Sequence, residues 1–213
     1  MNDTKKIEIR NGVGSVKRTL PESRHVEGYA AVFNQWSQDL GGFREKIDPK
    51  AFEGVIARSD VFALLDHDRR RGILGRCKYG NEISLRLSVD DHGLRYEFDA
   101  PETELGNQLL ACLQRGEIDA SSFAFTVLDD KWERNGDTYY RTITKIDEIY
   151  DVSPVYSPAY SQTTCDLRGL DALKAEERAA EERANAAKAE AERIAIGKYV
   201  ADLKNEINQL VKQ

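Results

Sequence analysis

Short runs rich in β-branched and aromatic residues alternate with turn residues through the first 170 positions of the chain. The stretches 7–10, 27–33, 61–67, 83–89, 94–98, 122–128, 139–143 and 149–155 read as strands. Gly41-Gly42, Asp91-His92-Gly93 and Asn135-Gly136 are turn signals between them, and the last reads as a hairpin tip. A helix is expected over 49–58, with Asp48 as N-cap and Pro49 at the first helical position. A second is expected over 102–115, ending at Gly116. Its residues Leu105, Leu109, Ala111, Cys112 and Leu113 roughly follow a helical stripe. Many strands with few helices predict a barrel or sandwich decorated by helices.

The pattern changes near residue 170. Positions 171–193 are dense in Ala, Glu, Arg and Lys, with almost no large apolar residue. Pairs such as Arg178/Glu182 and Lys188/Glu192 lie one helical turn apart and add a few tenths of a kcal/mol each. Then Ile196, Val200, Leu203, Ile207 and Leu210 recur at spacings of four, three, four and three, a two-heptad coiled-coil seam. Two parts are therefore expected, a domain over 1–170 and a charged helix with a short coiled-coil segment over 171–213. The seam would either pack back on its own domain or serve self-association or partner docking. The charged stalk before it favours the second.

Composition narrows the function. A net charge of −6 argues against a broad face for nucleic-acid phosphates. The run Arg69-Arg70-Arg71 reads as a solvated turn. Residues 1–10 hold no apolar core of a secretory signal, and no stretch approaches the roughly 20 apolar residues of a membrane span. Cysteines stand at 77, 112 and 165. An odd count without paired spacing argues against a disulfide framework and a zinc site, and for a reducing cytoplasm. No glycine-rich phosphate loop or HExxH signature occurs, so neither cofactor nor metal is expected.

Histidine titrates near neutrality and serves most often as a hydrolase's general base. The chain has three. His92 sits in a turn and His25 in a polar stretch, while His67 is expected to end an apolar strand at the edge of a cleft. In Ala120-Ser121-Ser122-Phe123-Ala124-Phe125-Thr126, alternation puts Ser121, Phe123 and Phe125 on one face and Ser122, Ala124 and Thr126 on the other. Ser122 thus lies on a face of small side chains, expected to be open to a scissile carbonyl. Asp147, Glu148 and Asp151 supply carboxylates that could orient a histidine. On these residues alone, a structural histidine and a strand packing its small face against a neighbour remain open. Cys112 reads as a buried small hydrophobe within its helix.

Seven motifs in order resemble the prohead protease family of tailed phages. They are Val26-Glu27-Gly28-Tyr29-Ala30-Ala31-Val32-Phe33-Asn34; Phe43-Arg44-Glu45-Lys46-Ile47 with Ala51-Phe52; Leu64-Leu65-Asp66-His67-Asp68; Ile73-Leu74-Gly75-Arg76; Asp91-His92-Gly93-Leu94; Ala120-Ser121-Ser122-Phe123-Ala124-Phe125; and Asp151-Val152-Ser153-Pro154-Val155 with Pro158-Ala159-Tyr160. Together they cover about residues 26–168. The resemblance implies a mainly β, α+β fold: a β-barrel ringed by helices, similar to herpesvirus maturation proteases. It implies a serine endopeptidase that cleaves the major capsid protein precursor and its scaffold segment, and itself. It would work inside the prohead, in the bacterial host cytoplasm; the seam adds the expectation of a homo-oligomer, and charge and hydropathy leave neither nucleic acid nor membrane as partner. It assigns the base to His67 and the nucleophile to Ser122. The family's glutamate falls on Asp151, one methylene shorter, which leaves Glu148 as the alternative third member. Alanine replaces the usual glycine at 124. Arg76 and Arg141 are the arginines considered as oxyanion donors. The rival readings are a catalytically inactive capsid-assembly scaffold protein and a small-molecule esterase, which would need a G-x-S-x-G elbow that is absent.

Overall fold

The computed structural model describes residues 6–20, 22–156 and 168–210. The chain divides into two compact units, Met1–Asp166 and Leu167–Gln213. The first is mostly β. Its strands are β1 (Glu8–Arg18), β2 (His25–Val32), β3 (Phe43–Ile47), β4 (Asp60–Ala63), β5 (Gly75–Lys78), β6 (Asn81–Glu82), β7 (Arg86–Val89), β8 (Gly93–Asp99), β9 (Ile118–Asn135) and β10 (Thr138–Tyr156). They form one sheet in the order β6-β5-β4-β10-β9-β1-β2-β8-β7, with β3 also paired to β10. The sheet is barrel-like and nearly closed. Its two ends approach where β5 meets β7, and the amides of Ile83, Ser84 and Leu85 all donate to the Arg76 carbonyl.

The long hairpin β9–β10 is the spine of the sheet. Its tip is Gly136-Asp137, with Gly136 at a positive φ of 61°. The two expected strands 139–143 and 149–155 are one strand here, and 122–128 is the middle of a longer one. A period-two pattern cannot reveal a strand that continues through polar, solvent-facing residues such as Asp129, Lys131 and Glu133. Register shifts occur at several points along the pairing, where bulges bend the ribbon toward closure. On its other edge β10 pairs in parallel first with β3 and then with β4.

Helices are fewer than the ring implied by the resemblance. Among the described residues the first unit has one α-helix, α1 (Glu104–Arg115), and three short 3₁₀ turns. Thr103 caps α1 by accepting from the Gly106 amide, and Gly116 ends it in the left-handed conformation. The helix expected over 49–58 is instead two 3₁₀ turns, Pro49–Phe52 and Ile56–Arg58. Gly54, at φ 67°, breaks the path between them. Asp48 still caps the first turn, accepting from the Lys50 amide at 2.8 Å. The Asp91-His92-Gly93 signal is the β7–β8 turn, and Asp90 accepts from the amides of His92 and Gly93.

The core is built from inward residues of the sheet, including Phe123, Phe125, Tyr96, Leu94, Ile143, Ile146 and Ile149, with Leu109 from α1. One end of it is ionic. Arg141 donates to Glu8 at 2.7 and 3.0 Å, to Glu45 at 2.9 Å and to Asp130 at 2.6 Å. Arg10 donates to Glu45 twice at 2.6 Å and to Glu8 at 2.5 Å. Both arginines and both glutamates are almost wholly buried. Burial disfavours the Arg141 cation, but the Glu8 hydrogen bond and the attraction of Glu45, Glu8 and Asp130 outweigh it and hold its pKa above the usual value. Hydrophobic patterning gives no sign of this cluster, because its members look like ordinary surface charges.

The second unit is a single helix, α2 (Arg168–Leu210). Ile196 and Val200 of the expected seam are exposed on it. The side chains of Leu203, Ile207 and Leu210 lie outside the described residues, as does Cys165. Among the described residues no helix is long and apolar enough to cross a membrane.

Removing one partner of a buried ion network leaves uncompensated charge, at a cost of about 3–5 kcal/mol. Arg141→Met is therefore expected to lower the urea midpoint by that equivalent at unchanged m-value. A midpoint within about 0.5 kcal/mol of the parent protein would show that the cluster contributes little.

Candidate active site

Antiparallel pairing of β9 with β10 sets Ser122 opposite Ser153 and Ala124 opposite Asp151. Directly opposed residues share a face, so Ser122, Ser153 and Asp151 line one side of the hairpin. His67 comes to that side from beyond β4. It does not end a strand, as the sequence pattern suggests. The strand stops at Ala63, and the chain runs on beside β10 through hydrogen bonds donated by the Leu64 amide to the Val152 carbonyl and by the Asp66 amide to the Pro154 carbonyl. It then turns sharply: Asp66 and His67 both hold left-handed backbone angles, at φ 57° and 59°. Non-glycine residues enter that region at a cost of order 1–3 kcal/mol, and such outliers cluster at functional sites.

The turn puts the His67 ring between the two strands. Its Nε2 lies 2.5 Å from Ser122 Oγ and its Nδ1 lies 2.6 Å from Asp151 Oδ1. With the proton on Nδ1, His67 donates to Asp151 and Nε2 accepts from the Ser122 hydroxyl. Ser153, fully buried, donates to the same Asp151 oxygen at 2.7 Å. This serine was not among the residues singled out from the sequence. Only the strand register exposes its role, since it stands two positions from Asp151 in an unremarkable Ser-Pro pair. Glu148 sits opposite Thr126, one bulge further along. Among the described residues it makes no bond to His67.

The face of Ser122 is not open as expected. Ser122, Ala124 and Thr126 are all buried, and the His67 ring lies directly against Ser122. Ser121, on the opposite face, is spent on structure: its hydroxyl donates to the Ser15 carbonyl at 3.1 Å and meets the Tyr96 hydroxyl at 2.6 Å. Burial pushes the Tyr96 phenol well above its ordinary range, against the Ser121 hydrogen bond.

The other candidates lie elsewhere. His25 binds Asp99 through Nδ1 at 2.9 Å, and His92 is exposed, edge-on to Tyr29. Cys112 is buried in α1, and burial raises its thiol pKa, the reverse of what a nucleophile needs. Arg141 is held in the ionic cluster. Arg76 is clamped by Asp60 at 2.8 and 2.5 Å. Both of these arginines are engaged with carboxylates. His25, Glu27 and Glu97 come near enough to share a cation. Lys17, Arg86 and Arg95 already pair with those two glutamates, so the group needs no metal.

A serine, a histidine and an aspartate in hydrogen-bond succession form the arrangement that activates a hydroxyl for acyl transfer. Comparison with known families agrees in class: residues 14–176 match the caudovirus prohead serine proteases. The chain belongs to that family. The prohead protease chain also resembles a solved structure, the bacteriophage T4 capsid assembly protease, at 12% identity and a TM-score of 0.39, over 72% of this chain and 97% of that one. No curated protein matches it.

The two adjacent serines should separate cleanly in experiment. Ser121→Ala removes the hydrogen-bond partner of a buried tyrosine hydroxyl and should cost about 1–3 kcal/mol in chemical denaturation. Labelling of the folded variant by a fluorophosphonate should persist. Loss of labelling in a folded Ser121→Ala protein would move the nucleophile to that position.

Proposed function

We propose that this prohead protease is an active serine endopeptidase that cuts the major capsid protein precursor at its scaffold segment, and cuts itself, inside the prohead in the host cytoplasm. The observation that carries the reading is the continuous chain of hydrogen bonds Ser122–His67–Asp151. His67 Nε2 takes the Ser122 proton as Oγ attacks the peptide carbonyl. Asp151 holds the Nδ1 proton and stabilises the imidazolium that forms. His67 then gives its proton to the leaving amine, and water hydrolyses the acyl-enzyme by the same route in reverse. Ser153 fixes the Asp151 carboxylate while this happens. Because Ser122 is buried, a peptide reaches Oγ only when its cover is displaced. An inactive scaffold protein would have no use for two left-handed residues that aim a histidine at a serine.

Co-expression with the capsid precursor, followed by intact-mass analysis, tests this directly. Ser122→Ala and His67→Ala should each reduce processing by about four orders of magnitude or more, since the members act as a unit. Folding should persist. Asp151→Asn should lower turnover by about 10³–10⁴-fold through the wrong histidine tautomer, while Glu148→Gln should change it little. Processing by Ser122→Ala at the parent rate would defeat the assignment, and the reverse ranking of the two acids would transfer the third role to Glu148.

The tail belongs to the same proposal. The segment over 171–213 acts as an appendage whose seam, starting at Ile196 and Val200, pairs with a second copy of the chain. Each large aliphatic side chain buried is worth roughly 1.5–3 kcal/mol. Truncation after Leu170 should convert the dimer to a monomer when the copy number is measured by light scattering. An unchanged copy number would show that the tail does not hold an oligomer together.

A further inference from the structure

Beside the proposed catalytic residues the sheet carries a cationic, aromatic patch. Phe62 of β4 stands in register with Asp151 on one side and with Arg76 of β5 on the other, so all three share a face. Two guanidiniums lie over the Phe62 ring, Arg69 at 4.0 Å and Arg76 at 4.9 Å from its centroid. Arg69 comes from the 3₁₀ turn Arg69–Arg71, two residues after His67.

The cations around this ring differ in what they hold. Arg76 is clamped by Asp60. Arg70 folds back on Asp68, and Arg71 donates to Gln108 at 2.6 Å. Among the described residues the Arg69 side chain makes no hydrogen bond or ion pair. The residue is exposed, with its guanidinium carbon 4.0 Å from the centre of the Phe62 ring. A guanidinium stacked in this way loses little further freedom on binding, and its N–H edge matches a carboxylate with two parallel bonds. Asp60 holds Arg76 and Asp151 is engaged by His67 and Ser153, which leaves Arg69 as the guanidinium over the ring with no carboxylate bonded to it.

We propose that Arg69, stacked on Phe62, forms a subsite for an acidic side chain of the substrate, two to four residues from the scissile bond. The inference rests on the endopeptidase reading above. The placement follows from the sheet. Phe62 is two strands from β9 and one side-chain step along it from Ser122, about 12 Å at ordinary strand spacings. An extended peptide advances about 3.3 Å per residue, so its third or fourth residue reaches that point, or its second with the length of a glutamate side chain added.

The test is digestion of a proteome-derived peptide library by the full chain, with the cut sites read by mass spectrometry. In the parent protein Asp and Glu should be enriched about tenfold at one position two to four residues from the cut, as expected for a charge-assisted pair. Arg69→Gln should bring that position to background, Arg69→Lys should retain part of the enrichment, and Arg69→Glu should shift it to Lys and Arg. Arg70→Gln, which loses a cation that points at Asp68, should keep the parent pattern. Cutting without acidic enrichment, or enrichment that survives Arg69→Gln, overturns the subsite alone. No cutting by the parent protein overturns the endopeptidase reading and the subsite with it.

Discussion

The register between β9 and β10 is the constraint on which the rest of the site hangs. It sets Ser122 against Ser153 and Ala124 against Asp151. A slip of one residue would turn Ser122 and Asp151 away from each other and push Phe123 out of the core, because successive side chains face opposite ways. The core therefore guards the alignment: Phe123 and Phe125, stacked at 4.3 Å between centroids, hold the same register that faces Ser122 and Asp151 to one side. The ionic cluster does comparable work further along the ribbon, where Arg141 of β10 joins Glu8 of β1, Glu45 of β3 and Asp130 of β9.

Much of this was legible in the residues. Alternation in 120–126 separated the two serines onto opposite faces, and the structure keeps them there. The Gly116 and Asn135-Gly136 signals marked real ends. What could not be read was long-range. Nothing local says that polar residues such as Asp129 and Glu133 continue a strand, so one hairpin looked like several pieces. A proline-led segment after an aspartate looked like a helix until Gly54 divided it. The burial of Arg10 and Arg141 had no local signature, because Glu45 and, for Arg141, Glu8 lie far along the chain and only the folded sheet brings them together.

The small-residue face illustrates a subtler limit. Alternation marked Ser122, Ala124 and Thr126 as a surface with room over it, and room was read as openness. The structure fills that room with the His67 ring. Small side chains on a strand indicate that something approaches closely, and a neighbouring side chain satisfies that condition as well as a ligand does.

The paired left-handed residues Asp66 and His67 carry a consequence for how this protein can change. Glycine at position 66 would relax the turn, since it adopts a positive φ without a Cβ penalty. Such a substitution would make the folded chain more robust and at the same time free the imidazole to wander from its serine. A gain in stability at this segment would thus come at the expense of the His67–Ser122 alignment, and selection for durability would run against selection for that geometry at a single residue.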